Sequence, residues 1–116
     1  MTQIIIYQKP TCSTCRKVIK IVEKSGKPFI AVNYYEKPLT KSRLKELLKK
    51  GGFKAKKVLR AKEDIYKSLG LAKTEKSEDE LIDLIIKHPD LLQRPLVEKG
   101  SKVIMARPPE TIEEIL

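Results

Sequence analysis

Three observations predict a single α/β domain on a mixed sheet. An unbroken apolar run, Ile4-Ile5-Ile6-Tyr7, is followed within a few residues by a helical pattern that opens at Ser13. A long middle stretch then carries Leu and Ile at helical spacing, and two short apolar runs close the chain on either side of Lys99-Gly100-Ser101. The order is β-α-β, a helical insert over about residues 40–90, and β-β-α, with 1–116 as one domain. A helical crossover makes its two strands parallel and a hairpin makes its two antiparallel, so the four-stranded sheet is mixed.

The first strand is expected at Gln3–Tyr7, as an apolar run suited to a sheet buried on both faces. A helix from Ser13 to Lys24 places Val18, Ile19 and Val22 on one side. It stops at Ser25-Gly26, where Gly26 supplies a left-handed cap and Pro28 forbids continuation. The second strand is expected at Phe29–Tyr34. In the middle, Thr40 caps a helix with Leu44, Leu47 and Leu48 on one face, ending near Gly51-Gly52. Short helices follow around Ala55–Arg60 and Asp64–Ser68. Ser77-x-x-Glu80 is a capping box ahead of Leu81, Ile82, Ile85 and Ile86, and that helix ends at His88-Pro89. Leu96–Glu98 and Lys102–Ala106 read as a hairpin, Pro108-Pro109 stops its second strand, and Glu110 begins a short last helix.

Cys12-Ser13-Thr14-Cys15 holds both cysteines of the chain and falls at the turn between first strand and first helix. There the unpaired N–H groups and the positive end of the helix dipole favour a thiolate at Cys12. A Cys-x-x-Cys after the first strand, in this order of elements, is the thioredoxin-like arrangement. Zinc is a weak alternative, since Cys12, Cys15 and His88 supply three ligands where a structural site takes four.

The formal charge of +10 comes from twenty Lys and five Arg against fifteen acids. The lysines are interspersed with acids along the helices, as on an ordinary solvated surface. The densest basic stretch, Lys45 to Lys57, has one aromatic and no nucleic-acid fold signature, so direct nucleic-acid binding is disfavoured. No apolar segment approaches the ~20 residues of a membrane span, and no membrane partner is expected. The absence of a signal-like N-terminus, with two cysteines too close to cross-link distant regions, argues for a reducing, cytoplasmic setting.

Longer motifs carry a family resemblance over nearly the whole chain. They are Pro10-x-Cys12-x-x-Cys15-Arg16, Leu59-Arg60, Leu69-Gly70-Leu71, His88-Pro89-x-Leu91-Leu92-x-Arg94-Pro95 and Ala106-Arg107-Pro108-Pro109-Glu110. The chain resembles the glutaredoxin-coupled arsenate reductases (ArsC-like) and their sister group, the Spx-type transcriptional regulators. Arg107-Pro108 resembles the enzymes. Cys15 resembles the regulators, because the best-known reductases have Ser there and also have His at the position of Gln8.

The resemblance implies a thiol-dependent arsenate reductase with Cys12 as nucleophile and Arg60, Arg94 and Arg107 as the substrate-binding residues. It implies no bound cofactor, glutathione as co-substrate, and glutaredoxin or thioredoxin as the reducing partner. Arginine suits an oxyanion because it stays protonated and presents a planar fork to two oxygens at once. After attack by Cys12, two fates stay open: glutathione resolves the intermediate, or Cys15 does, with Cys15 then a second catalytic residue. The alternatives are a redox-sensing regulator that binds RNA polymerase, with Cys12–Cys15 as its switch, and a thioredoxin-like thiol oxidoreductase of another substrate. Resemblance further implies a cis Arg94–Pro95 bond and a structural rather than catalytic His88.

Overall fold

The structure is a computed structural model that describes residues 3–73 and 75–116. The chain divides into two compact units, one of residues 1–38 and 94–116 and the other of residues 39–93.

The first unit is built on the sheet. Strand β1 (Ile4–Gln8) pairs in parallel with β2 (Phe29–Asn33), with Ile4 opposite Phe29 and Gln8 opposite Asn33. On its other side β1 runs antiparallel to β3 (Leu96–Lys99), which forms a hairpin with β4 (Lys102–Met105) through Gly100 at φ 62°. The order β2-β1-β3-β4 is the mixed four-stranded sheet expected of a thioredoxin-like fold. Helix α1 (Ser13–Ser25) packs on it with the 3₁₀ turn Pro109–Ile115. Ile4 and Ile6 point to that side by strand alternation, and they meet Val18 and Val22, one helical turn apart, with Val97, Ala106, Ile112 and Ile115. Full burial of each such aliphatic side chain is worth about 1.5–3 kcal/mol relative to exposure. The strand is less buried than its apolar run suggests, because Ile5, on the opposite face, is only half-buried.

Several boundaries differ from expectation. Strand β1 is Ile4–Gln8 rather than Gln3–Tyr7. The hairpin strands are Leu96–Lys99 and Lys102–Met105 rather than Leu96–Glu98 and Lys102–Ala106, and the last helix is a 3₁₀ turn that opens at Pro109. Strand β2 ends at Asn33 rather than Tyr34, because the Asn33 carbonyl accepts from the N–H groups of Glu36 and Lys37 and closes a turn. Helix α1 runs one residue further, to Ser25, before Gly26 takes the left-handed cap at φ 74°.

The second unit is helical. Thr40 caps α2 (Lys41–Gly51), its side chain accepting from the Arg43 N–H, and Gly52 ends it. A 3₁₀ turn, Ala55–Val58, replaces the helix expected to Arg60. It stops there because Leu59 bridges to Leu92 and Gln93 N–H donates to the Val58 carbonyl at 2.7 Å, which draws the backbone into extended form. Helix α3 (Asp64–Ser68) is short, and α4 (Glu78–Lys87) carries the capping box of Ser77 and Glu80 in full. The core here joins Leu44, Leu47 and Leu48 of α2 to Leu81, Ile82 and Ile85 of α4. The exposed ion pairs Lys41–Asp83 and Lys45–Asp79, each 3.0 Å, add little to the packing of those helices.

Candidate active site

The turn from β1 into α1 sets the chemistry of Cys12. The Cys12 N–H donates to the Lys9 carbonyl at 2.9 Å, tightening the loop so that Cys12 becomes the N-cap of α1, with extended backbone at φ −79° and ψ 122°. Its sulfur takes the place that a capping oxygen fills elsewhere and accepts from the Cys15 N–H at 3.5 Å. The first turn contains no acidic residue, so the positive end of the dipole is left to the thiol.

The two cysteines are free and occupy opposite environments. Cys12 is partly exposed, whereas Cys15 is fully buried on the inner face of α1 beside Val18 and Val22. Burial tends to raise the Cys12 thiol. The Cys15 N–H, the Cys15 thiol and the Arg94 guanidinium outweigh that tendency and hold it below the ordinary thiol value. Burial dominates at Cys15, and with the charge of a Cys12 thiolate three residues away it pushes that thiol up to about 12. Cys12 is thus the nucleophile of the pair, and Cys15 stays protonated.

Arg94 lies two residues before the start of β3 and is 5 % exposed. Its charge and hydrogen bonding act on Cys12 directly. Arg107 follows β4, is exposed, and donates from Nη1 to the Arg94 carbonyl at 3.1 Å, so the two arginines are tied to each other. Both precede cis prolines, Arg94–Pro95 as expected and Arg107–Pro108 in addition. Arg60 lies in the helical unit. Its N–H donates to the Leu91 carbonyl at 2.7 Å and its Nε is 3.1 Å from the Glu63 carboxylate. The structure therefore brings Cys12, Cys15, Arg94 and Arg107 together in one unit, and Arg60 is described within the other.

Sequence reasoning passed over one feature. Tyr34 and Tyr35, just beyond β2, stack with ring centroids 5.0 Å apart, and Arg94 Nη1 donates to the Tyr35 hydroxyl at 3.5 Å. Two adjacent tyrosines in a chain with only four were the available signal. Among the described residues no group of three or more His, Cys, Asp or Glu could hold a metal ion, and no helix is long and apolar enough to cross a membrane.

A partly exposed thiol capping the first helix of a thioredoxin-like sheet, with a buried arginine beside it, defines a thiol-redox protein fitted to anions. The comparisons give the particular family. The model of the ArsC family matches residues 7–115, and the chain belongs to that family. It is 37% identical over 115 residues to the uncharacterized protein YfgD of Escherichia coli K12, covering 98% of this chain and 97% of that one. It is 34% identical over 116 residues to the arsenate reductase of the same strain, covering 100% of this chain and 82% of that one. Among solved structures, an arsenate reductase from Vibrio cholerae superposes with a TM-score of 0.93 at 32% identity, over 99% of this chain and 98% of that one.

Proposed function

We propose that the chain is a thiol-dependent arsenate reductase with Cys12 as its nucleophile. The observation that carries the reading is the junction of a thiol held below its ordinary pKa with the Arg94 guanidinium, on a chain similar over its whole length to arsenate reductases. Thiolate and oxyanion repel each other, so their meeting needs fixed positive charge that survives partial desolvation. Arg94 supplies it beside Cys12, together with first-turn N–H groups that have no acceptor within the helix, and Arg107 enters the proposal through the family motif and its hydrogen bond to the Arg94 carbonyl. Arg60 enters the proposal on the sequence motif alone.

In the reaction, the Cys12 thiolate forms an S–As bond to As(V), and an arsenate oxygen leaves as water once protonated. A second thiol then attacks Cys12 sulfur. The S–As bond breaks with its electron pair remaining on arsenic, which departs as arsenite, and the two sulfurs are joined as a disulfide. The second thiol is glutathione, with glutaredoxin or thioredoxin restoring the free enzyme. The complete burial of Cys15 and its thiol pushed up to about 12 favour an external thiol over internal attack, and cast Cys15 as a hydrogen-bonding support for Cys12.

Steady-state oxidation of NADPH, with the glutathione–glutaredoxin and thioredoxin systems supplied in turn, tests the reading. Arsenate-dependent oxidation is expected with the glutathione system. No arsenate-dependent rate with either system would end the proposal.

A further inference from the structure

Two tyrosines converge on the arginine beside Cys12. The Tyr35 hydroxyl accepts from Arg94 Nη1 at 3.5 Å, a long bond made between residues 59 positions apart. Tyr34 stacks against the Tyr35 ring at an interplanar angle of 30°, and Lys9 Nζ lies 4.9 Å from the Tyr35 ring centroid. These contacts brace the Tyr35 ring from the β1 side and from its own neighbour.

Tyr34 presents the more pointed observation. It is 2 % exposed, and its hydroxyl has no hydrogen bond of ordinary geometry among the described residues, although it lies near enough to Arg94 for the two to interact. Burying a hydroxyl without a well-formed hydrogen bond costs free energy that Phe at the same place would avoid, so the oxygen needs a reason to be there. Burial pushes the Tyr34 phenol up to about 12 while the neighbouring Arg94 charge acts in the opposite sense, so the group sits neutral with its oxygen dipole in the field of the guanidinium.

We propose that Tyr34 and Tyr35 are positioning residues that hold the Arg94 guanidinium in place beside Cys12. Each offers an oxygen that is polar but uncharged. A carboxylate in their place would orient the guanidinium too, but its charge would cancel much of the field that the thiolate and an incoming oxyanion require. Neutral phenols orient the cation and leave its charge available. The consequence for arsenate turnover rests on the function proposed above; the consequence for Cys12 does not.

The test is the rate of Cys12 alkylation by iodoacetamide, followed against pH. Tyr35→Phe removes the acceptor oxygen and keeps the ring, its stacking on Tyr34 and the Lys9 contact. Its alkylation midpoint should rise by about half a unit, leaving about threefold less thiolate below the midpoint. Tyr34→Phe should move it in the same direction. In an Arg94→Lys background the Tyr35→Phe change should have little further effect, because the group it positions is gone. Wild-type midpoints in both tyrosine variants would overturn the proposal, as would a Tyr35→Phe shift of equal size in both backgrounds. Because alkylation needs no arsenate, the tyrosine variants can be judged even in a protein that never turns over arsenate.

Discussion

The sheet unit buries Gln8, Arg94 and Glu98 among its apolar side chains, whereas every buried side chain among the described residues of the helical unit is aliphatic. The helical unit spends its polar residues on caps and exposed ion pairs: Thr40 and Ser77 at helix starts, the Glu78 carboxylate on the Ala55 N–H, and lysine–aspartate pairs along α2 and α4. Those contacts satisfy backbone donors and hold the helices in register. In the sheet unit, by contrast, a guanidinium, an amide oxygen of Gln8 and a phenol of Tyr34 are kept from water at a cost in stability. Desolvation also strengthens whatever charge remains, which is what a thiolate facing an oxyanion requires. The difference separates residues that set stability from residues that set reactivity, and mutation can test that separation.

The largest effect belongs to the sulfur itself. Cys12→Ser should reduce arsenate turnover by several decades while far-ultraviolet circular dichroism and the thermal midpoint stay close to wild type. The complementary break lies in the helical core. Leu47→Ala or Ile85→Ala should cost about 2–5 kcal/mol in chemical denaturation, because both side chains are almost fully buried in a packed interface. Below its melting temperature either variant should still alkylate Cys12 with the wild-type pH midpoint. A shifted midpoint would show that the units do not divide stability from reactivity.

Smaller losses are expected from the arginines. Arg94→Lys, Arg107→Lys and Arg60→Lys keep the charge and lose the planar fork. Each should lower turnover efficiency by about one to two decades, the equivalent of about 1.5–3 kcal/mol for a charge-assisted hydrogen bond. Unchanged kinetics in all three would remove the oxyanion pocket from the account. Cys15→Ser should have the mildest consequence, keeping glutathione-supported turnover within about threefold of wild type. A collapse of thioredoxin-supported turnover in that variant would instead assign Cys15 the resolving role.

Alkaline pH sharpens the same contrast. Burial raises the folded-state values of Cys15 and Tyr34 to about 12, so the folded form holds protons that the unfolded chain releases earlier. Their contribution to stability is complete below the unfolded thiol value of about 8.5 and is lost as pH climbs from there toward about 12. Thermal midpoints measured across that window should fall less steeply in Cys15→Ala than in wild type. Equal slopes would mean that Cys15 titrates alike in both states.

Most of this architecture was legible in residue patterns, because local chemistry decided it. The Ile4–Tyr7 run, the Thr40 and Ser77 caps and the 3.6-residue spacing of Leu44, Leu47 and Leu48 each point to one local structure, and each is found. The expectation fell short where tertiary bonds set the boundary: Val58 and Leu59 are drawn out of helix by Gln93 and Leu92, and Tyr34 is turned out of β2 by the bonds that Asn33 accepts. Cys12 and Cys15 were visible as a pair, but their opposite ionisation follows from the inner face of α1, which Cys15 shares with Val18 and Val22. The motifs picked out Arg94. Its partner Tyr35 stayed hidden, because a contact between residues 59 positions apart leaves no local pattern.

The direct test of the central claim is the ionisation of Cys12 itself. Thiolate absorbance at about 240 nm, followed against pH in Cys15→Ser protein, isolates that sulfur from its neighbour. The account predicts a transition below the ordinary thiol value of about 8.5, moved upward by Arg94→Lys. A transition at or above that value, unmoved by Arg94→Lys, would contradict it.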